Sequence, residues 1–343
     1  MEDLNDGPLV ELDGLGPEDV PPDLEQWLFT LPGSVAIRLA GRDRQRTRAV
    51  TVLLHGNEPS GLAAVHRFLR SGQVPLTNLL IIVGAVPAAK LDPVFSHRFL
   101  PGRRDLNRCF LGPPDDEEGR IASAIVAEMR RHSPEAAVDL HNNSGHNPAY
   151  GVSTRLDPVR LGIAGLFAPR FVLSGLGLGA LMDALEDELP IVTIECGRRL
   201  DPGADACGYA GLRRFVEADQ LPRVPLDSGR VEILHRPVRV RLRAGLRIGF
   251  DDHRQSGADV TCALDVDRLN FQSLPAGSHV AWISGDVDWP FEAWDESGND
   301  VSARLFRREG CSIQTARQLI PIMMTTDPGI ALADCLFYAV ERR

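Results

Sequence analysis

Short apolar runs alternate with amphipathic stretches over the first two-thirds of the chain. Residues 34–39, 49–54, 79–86, 136–140 and 190–195 are apolar runs bounded by Gly, Pro or charged residues, and they read as strands. Between them, residues 61–71, 117–131, 176–186 and 205–218 carry apolar side chains at helical spacing. Strand and helix in alternation predict an α/β fold, a sheet flanked by helices. The pattern then changes. Residues 222–229 have the composition of a linker, and short strands with turn residues follow them, including the turn Asp295-Glu-Ser-Gly298. Val238-Arg-Val-Arg-Leu-Arg243 alternates with period two, so its arginines form the solvated face of a half-buried strand. The expected division is an α/β domain over residues 1–224 and a smaller β-rich domain over 225–343. Residues 1–33 form an acidic, Pro/Gly-rich extension with a short helix near 24–29.

Composition narrows the function class. The 343 residues are 43% hydrophobic and 24% charged, which suits a folded core rather than a disordered chain. No run of about 18 apolar residues occurs, so no transmembrane helix and no membrane partner is expected. The acidic start Met1-Glu-Asp-Leu-Asn-Asp6 lacks the basic, then apolar, order of a signal peptide, and the expected location is cytoplasmic. A net charge of −10 argues against nonspecific nucleic-acid binding. The six cysteines (109, 196, 207, 262, 311, 335) are scattered without a CxxC pair and read as reduced thiols. Lys90 is the only lysine, which excludes a lysine-attached biotin or lipoyl group in the C-terminal half. Nothing in the sequence specifies an oligomeric state.

Three clusters carry chemistry. His55-Gly-Asn-Glu58 follows one predicted strand, and His141 of Asp139-Leu-His141 follows another. Two imidazoles and one carboxylate are the ligand set that hydrolytic zinc sites use while keeping a position open. A strand end is where sites form in open α/β sheets. Singly, each has a plainer reading: a histidine capping a strand, or a glutamate starting a helix. Together they point to a metal. The second cluster is Arg98 and Arg103-Arg-Asp-Leu-Asn-Arg108, four arginines within eleven residues of an otherwise acidic chain. Guanidinium forks bind carboxylates bidentately, so this loop suits an anionic substrate, with Asp105 expected to pin it. The third is Glu195, a carboxylate at the end of an apolar strand in Thr193-Ile-Glu-Cys-Gly197. Beside a metal triad it reads as a general base.

His55-Gly-Asn-Glu-Pro-Ser-Gly61, Arg104-Asp-Leu-Asn-Arg-Cys-Phe110, Asp139-Leu-His141 and Ile194-Glu-Cys-Gly197 resemble the aspartoacylase/succinylglutamate desuccinylase family of the zinc-carboxypeptidase-like superfamily. The likeness covers roughly residues 34–220. It implies a zinc-carboxypeptidase-like mixed sheet flanked by helices, followed by a smaller β domain. It also implies one zinc per subunit on His55, Glu58 and His141, with Glu195 as general base. Asn107 and Arg108 would then hold a substrate carboxylate. An upstream arginine would face the scissile carbonyl: Arg98 is the first choice, and Arg103 and Arg104 stay in contention.

The expected reaction is hydrolysis of a small anionic N-acyl amino acid or related amide, with zinc-bound water as nucleophile. Asp139, two residues before His141, is either an acceptor that fixes an imidazole tautomer or an ordinary strand-end aspartate. Two other readings share these residues. A peptide carboxypeptidase would use the same zinc, base and arginines. A noncatalytic carboxylate-binding protein of the same fold would have no need of Glu195.

Overall fold

The structure is a computed structural model that describes residues 7–333 and 335–341. The acidic start, residues 1–6, read above as no signal peptide, lies outside the described residues. The chain divides into two compact units. One comprises residues up to 142, 149–171 and 177–233; the other comprises 143–148, 172–176 and 234 onward.

A nine-stranded sheet organises the first part of the chain. Its strands are β1 (Val10–Asp13), β2 (Val35–Leu39), β3 (Asp43–Val52), β4 (Thr77–Val83), β5 (Ala137–Asn143), β6 (Tyr150–Ser153), β7 (Arg170–Leu173), β8 (Ile191–Arg198) and β9 (Glu232–His235). Their spatial order is β1-β2-β4-β3-β5-β8-β6-β7-β9. The sheet is mixed: β3 is parallel to β4 and β5, whereas β2 runs antiparallel to β4 and β6 antiparallel to β8. The helices are α1 (Leu24–Thr30), α2 (Ser60–Arg70), α3 (Val86–Ala89), α4 (Glu117–His132), α5 (Pro158–Gly165), α6 (Leu181–Leu185) and α7 (Pro202–Glu217).

Side-chain alternation along the strands sorts the helices onto two faces. Ala49, Ala137 and Ile191 share one core with Ile125 and Met129 of α4 and Leu181 and Leu185 of α6. On the opposite face α2 packs against α7. The fit there is close: a Cβ on Gly61 of α2 would lie 2.9 Å from Leu140 Cβ and 3.1 Å from a Val52 methyl. Helix α4 starts where Asp116 accepts from the Gly119 N–H, and it stops at Ser133 with φ 41°.

The observed elements depart from the sequence reading at several points. β3 begins six residues before the expected strand and stops at Val52, because Leu53 turns to φ 58°. His141 lies within β5 rather than after it. The expected helix over 176–186 shrinks to Leu181–Leu185, since Gly177 and Gly179 take positive φ ahead of it. β1 lies inside the acidic extension and pairs parallel with β2.

The second unit is β-rich. Its strands are β10 (Val238–Leu242), β11 (Ile248–Phe250), β12 (Val260–Cys262), β13 (His279–Ile283), β14 (Phe291–Trp294), β15 (Phe306–Glu309), β16 (Ser312–Thr315), β17 (Leu319–Ile322) and β18 (Phe337–Glu341). They form a four-stranded sheet, β14-β10-β18-β17, and a five-stranded one, β11-β12-β13-β16-β15. In β10 the valines and Leu242 are buried while Arg239 and Arg241 are half-buried, as period-two alternation requires. Among the described residues, no helix is long and apolar enough to cross a membrane.

Candidate metal centre and arginine loop

Neighbouring strands bring the three sequence-distant segments together. Beyond Val52 of β3 the chain turns through His55–Glu58, closed by the Glu58 N–H donating to the His55 carbonyl at 3.2 Å. Gly56 is required there: a Cβ would lie 2.6 Å from the Ala89 nitrogen and 2.7 Å from the His97 oxygen. Val52 sits in register with Leu140 on β5, one residue before His141. β8, which carries Glu195, is the next strand over.

The result is a buried His-Glu-His cluster. His55, Glu58 and His141 each offer a ligand atom, and these atoms lie within 4.8 Å of one another. Glu58 Oε2 is 2.7 Å from His141 Nδ1, and Glu58 Oε1 is 2.9 Å from His55 Nδ1. Despite that distance, His55 Nδ1 has no hydrogen-bond partner among the described residues. Three candidate ligand atoms gathered this closely could hold one metal ion.

The far side of each ring supports the same reading. His141 Nε2 lies 2.7 Å from Asp139 Oδ2, and His55 Nε2 lies 3.1 Å from Asp105 Oδ1. Protons held on both Nε2 atoms by carboxylates leave both Nδ1 lone pairs for a cation. His55 Nε2 has a competing neighbour, Arg98 Nη2 at 2.7 Å. A guanidinium can only donate, so that contact belongs to the other tautomer. A metal on Nδ1 selects the Asp105 arrangement. Of the two readings for Asp139, the acceptor geometry is the one observed.

Charge at the cluster is lopsided in the direction a cation needs. Burial works against the Glu58 carboxylate, yet the His55 and His141 rings beside it outweigh burial and hold it far below the usual range. Burial likewise opposes a charged His141, but Asp139 and Glu58 together overcome it and raise its pKa well above the ordinary value. Glu195 differs: burial pushes its carboxyl up to about 8. Its Oε2 is buried without a hydrogen-bond partner among the described residues.

The arginine loop splits in two. Arg98 is half-buried at the cluster, with Nε 2.9 Å from Asp105 Oδ2 and Nη1 3.5 Å from Glu58 Oε1. Asp105 therefore pins the loop and also faces His55. That second task had no signal in the sequence, because it depends on the fold closing the loop over His55. Burial opposes its charge, but His55 and then Arg98 hold its carboxyl far below the usual range.

Arg103 and Arg104 lie elsewhere. Arg103 Nη1 is 2.8 Å from Glu117, and Arg104 forks Asp116 at 2.5 and 2.6 Å, both at the start of α4. Among the described residues, no hydrogen bond or ion pair joins either to the cluster. Asn107 is buried, and its Oδ1 accepts from the Leu181 N–H at 3.1 Å. Arg108 donates from Nη1 to the Asn107 carbonyl at 2.8 Å.

Comparisons with known proteins agree with this geometry. Residues 45–160, which contain His55, Glu58, the arginine loop and His141, match the Succinylglutamate desuccinylase/Aspartoacylase catalytic domain family. No curated protein matches the chain. Solved structures share the fold at low identity. The succinylglutamate desuccinylase/aspartoacylase from Rhodobacter sphaeroides aligns over 90% of this chain and 87% of its own, with 16% identity and a TM-score of 0.57. The product-bound ectoine utilization protein from Ruegeria pomeroyi aligns over 90% and 88%, with 18% identity and a TM-score of 0.57. Murine aminoacylase 3 aligns over 88% and 96%, with 18% identity and a TM-score of 0.54.

Proposed function

We propose that this protein, whose residues 45–160 match the Succinylglutamate desuccinylase/Aspartoacylase catalytic domain family, is a zinc-dependent hydrolase of amide bonds in small, carboxylate-bearing N-acyl compounds. The observation that carries the proposal is the convergence of His55 Nδ1, Glu58 and His141 Nδ1, with both Nε2 atoms turned to carboxylates. Bound there, zinc supplies Lewis acidity toward the scissile carbonyl and makes hydroxide available near neutral pH.

The protein's own groups supply the rest. Glu195 takes a proton from the attacking water and passes it to the leaving amine. Its burial, which raises the carboxyl in the metal-free protein, suits it to hold that proton between the two steps. Positive charge on nearby Arg98 favours its ionised form when it must accept. Arg98, half-buried beside His55 and Glu58, lends positive charge to the developing oxyanion. Asn107 uses its Oδ1 on Leu181, which leaves its amide protons for a substrate carboxylate, with Arg108 alongside. Arg103 and Arg104, held by the first turn of α4, are left out of the site.

The proposed catalytic domain is residues 1–224, with 225–343 as a β-rich domain. Six scattered cysteines without a CxxC pair suit a reducing compartment, and the proposed location is the cytoplasm. The test is a hydrolysis screen of N-acetyl, N-succinyl and longer N-acyl amino acids against peptides with a free C-terminus, using zinc-replete protein. The expected outcome is turnover of one or more N-acyl amino acids. Efficient trimming of peptides in their place would make the protein a carboxypeptidase.

A further inference from the structure

Asn142 follows ligand His141 directly, yet alternation along β5 points it to the opposite face, toward α2 and α7. Its neighbours on that face, Val138 and Leu140, are fully buried and apolar. A carboxamide there, itself 3% exposed, must have its polar atoms matched by protein. They are matched to two particular places. Oδ1 accepts from the Ser60 N–H at 3.0 Å, and Nδ2 donates to Ser60 Oγ at 2.9 Å and to the Gly197 carbonyl at 3.0 Å. The amide orientation follows from these partners, since an N–H can only donate and a carbonyl can only accept.

Ser60 lies two residues after ligand Glu58, and Gly197 lies two residues after Glu195. One side chain therefore ties together the Glu58 turn, the His141 strand and the Glu195 strand. The backbone N–H of Asn142 adds a fourth link, donating to Glu58 Oε2 at 3.2 Å. Two details show that the surroundings are built around this junction. Gly197 has φ 126°, a conformation that side-chain-bearing residues rarely adopt, at the residue whose carbonyl Asn142 holds. Ser60 Oγ in turn donates to Asp205 Oδ1 at 2.5 Å, which anchors the junction to α7.

We propose that Asn142 is a positioning residue, whose carboxamide sets the placement of Glu195 relative to the His55-Glu58-His141 cluster. The inference rests on the proposed hydrolase function. It makes no contact with substrate itself. Its effect is transmitted through Gly197 to Glu195 and through Ser60 to Glu58. The two histidines keep independent supports: Asp105 behind His55 and Asp139 behind His141. Metal binding should therefore survive loss of the carboxamide, while the alignment of the base does not.

The test uses Asn142→Ala and the volume-matched Asn142→Leu, which fills the apolar face should the alanine leave a damaging gap. Each is compared with the full-length wild type for melting temperature, cobalt stoichiometry, the visible spectrum of the cobalt form, and kcat and KM of the zinc form. The expected result is one cobalt per chain with a shifted spectrum, because the Glu58 turn has lost its tie. kcat should fall about 100-fold, the penalty typical of a misplaced group, with KM within about threefold of wild type. A cobalt spectrum and kcat both equal to wild type would overturn the proposal. So would loss of metal together with a collapsed melting transition in both variants, which would make Asn142 structural only. If the wild type itself hydrolyses none of the N-acyl compounds, the proposed function fails and the cobalt spectrum alone decides the role of Asn142.

Discussion

In the proposed mechanism, Glu195 is the residue on which binding and catalysis separate. It lies outside the cluster of His55, Glu58 and His141, so Glu195→Gln should retain about one zinc per chain by metal analysis. Turnover should fall by about 10² to 10⁴, the usual worth of a positioned proton-transfer group. A variant with normal turnover would remove Glu195 from the mechanism. The same carboxyl makes a stability prediction for the metal-free protein. Burial moves it from an ordinary value of 4.5 up to about 8. Between those limits the folded state holds a proton that the unfolded state has released, so this contribution is full below about pH 4.5 and is lost as pH rises through 8. Urea midpoints of metal-free wild type should therefore decline relative to Glu195→Gln from about pH 5 to 8. Parallel curves would mean that the carboxyl is already ionised in the folded protein.

Among the elements, β3 is held at its polar end by a buried cation. Arg48 is fully buried, with Nε 2.7 Å from Glu135, and it donates to the Phe215 and Ala218 carbonyls at the C-terminal end of α7. Arg48→Met should destabilise the protein by roughly 3 kcal/mol in urea unfolding, because it removes a buried cation from a half-buried partner and leaves those carbonyls unmatched. A change under 1 kcal/mol would show that the helix end finds water instead. Arg48 also shows where sequence patterning stopped. Asp43-Arg-Gln-Arg-Thr-Arg48 has no apolar alternation, so only its pairing with β4 reveals it as strand. α5 was more legible than its omission suggests: Asp157 caps the Val159 and Arg160 N–H groups and Pro158 fills the first turn, a standard start signal. The His-Glu-His cluster could be read from His55-Gly-Asn-Glu58 and Asp139-Leu-His141, because two imidazoles and a carboxylate are a recognisable metal-ligand set. The split of the arginines could not, since Arg103 and Arg104 follow the acidic start of α4 rather than the motif that contains them.

Across the whole molecule, the proposed ligands, base and arginines all come from the first unit, carried on or beside β3, β5 and β8. A net charge of −10 makes the gathering of Arg98 and Arg108 near the cluster a local exception that suits an anionic substrate. The second unit supplies none of these residues and has its own core, which includes Phe291, Phe306 and Phe337. The central claim is that zinc on His55, Glu58 and His141 drives amide hydrolysis. The most direct measurement is the initial rate on an N-acyl amino acid as free zinc is removed with a chelator and then restored. The rate should fall to background as zinc leaves and recover when about one zinc per chain is returned. Hydrolysis that continues undiminished in the chelated protein would contradict the account.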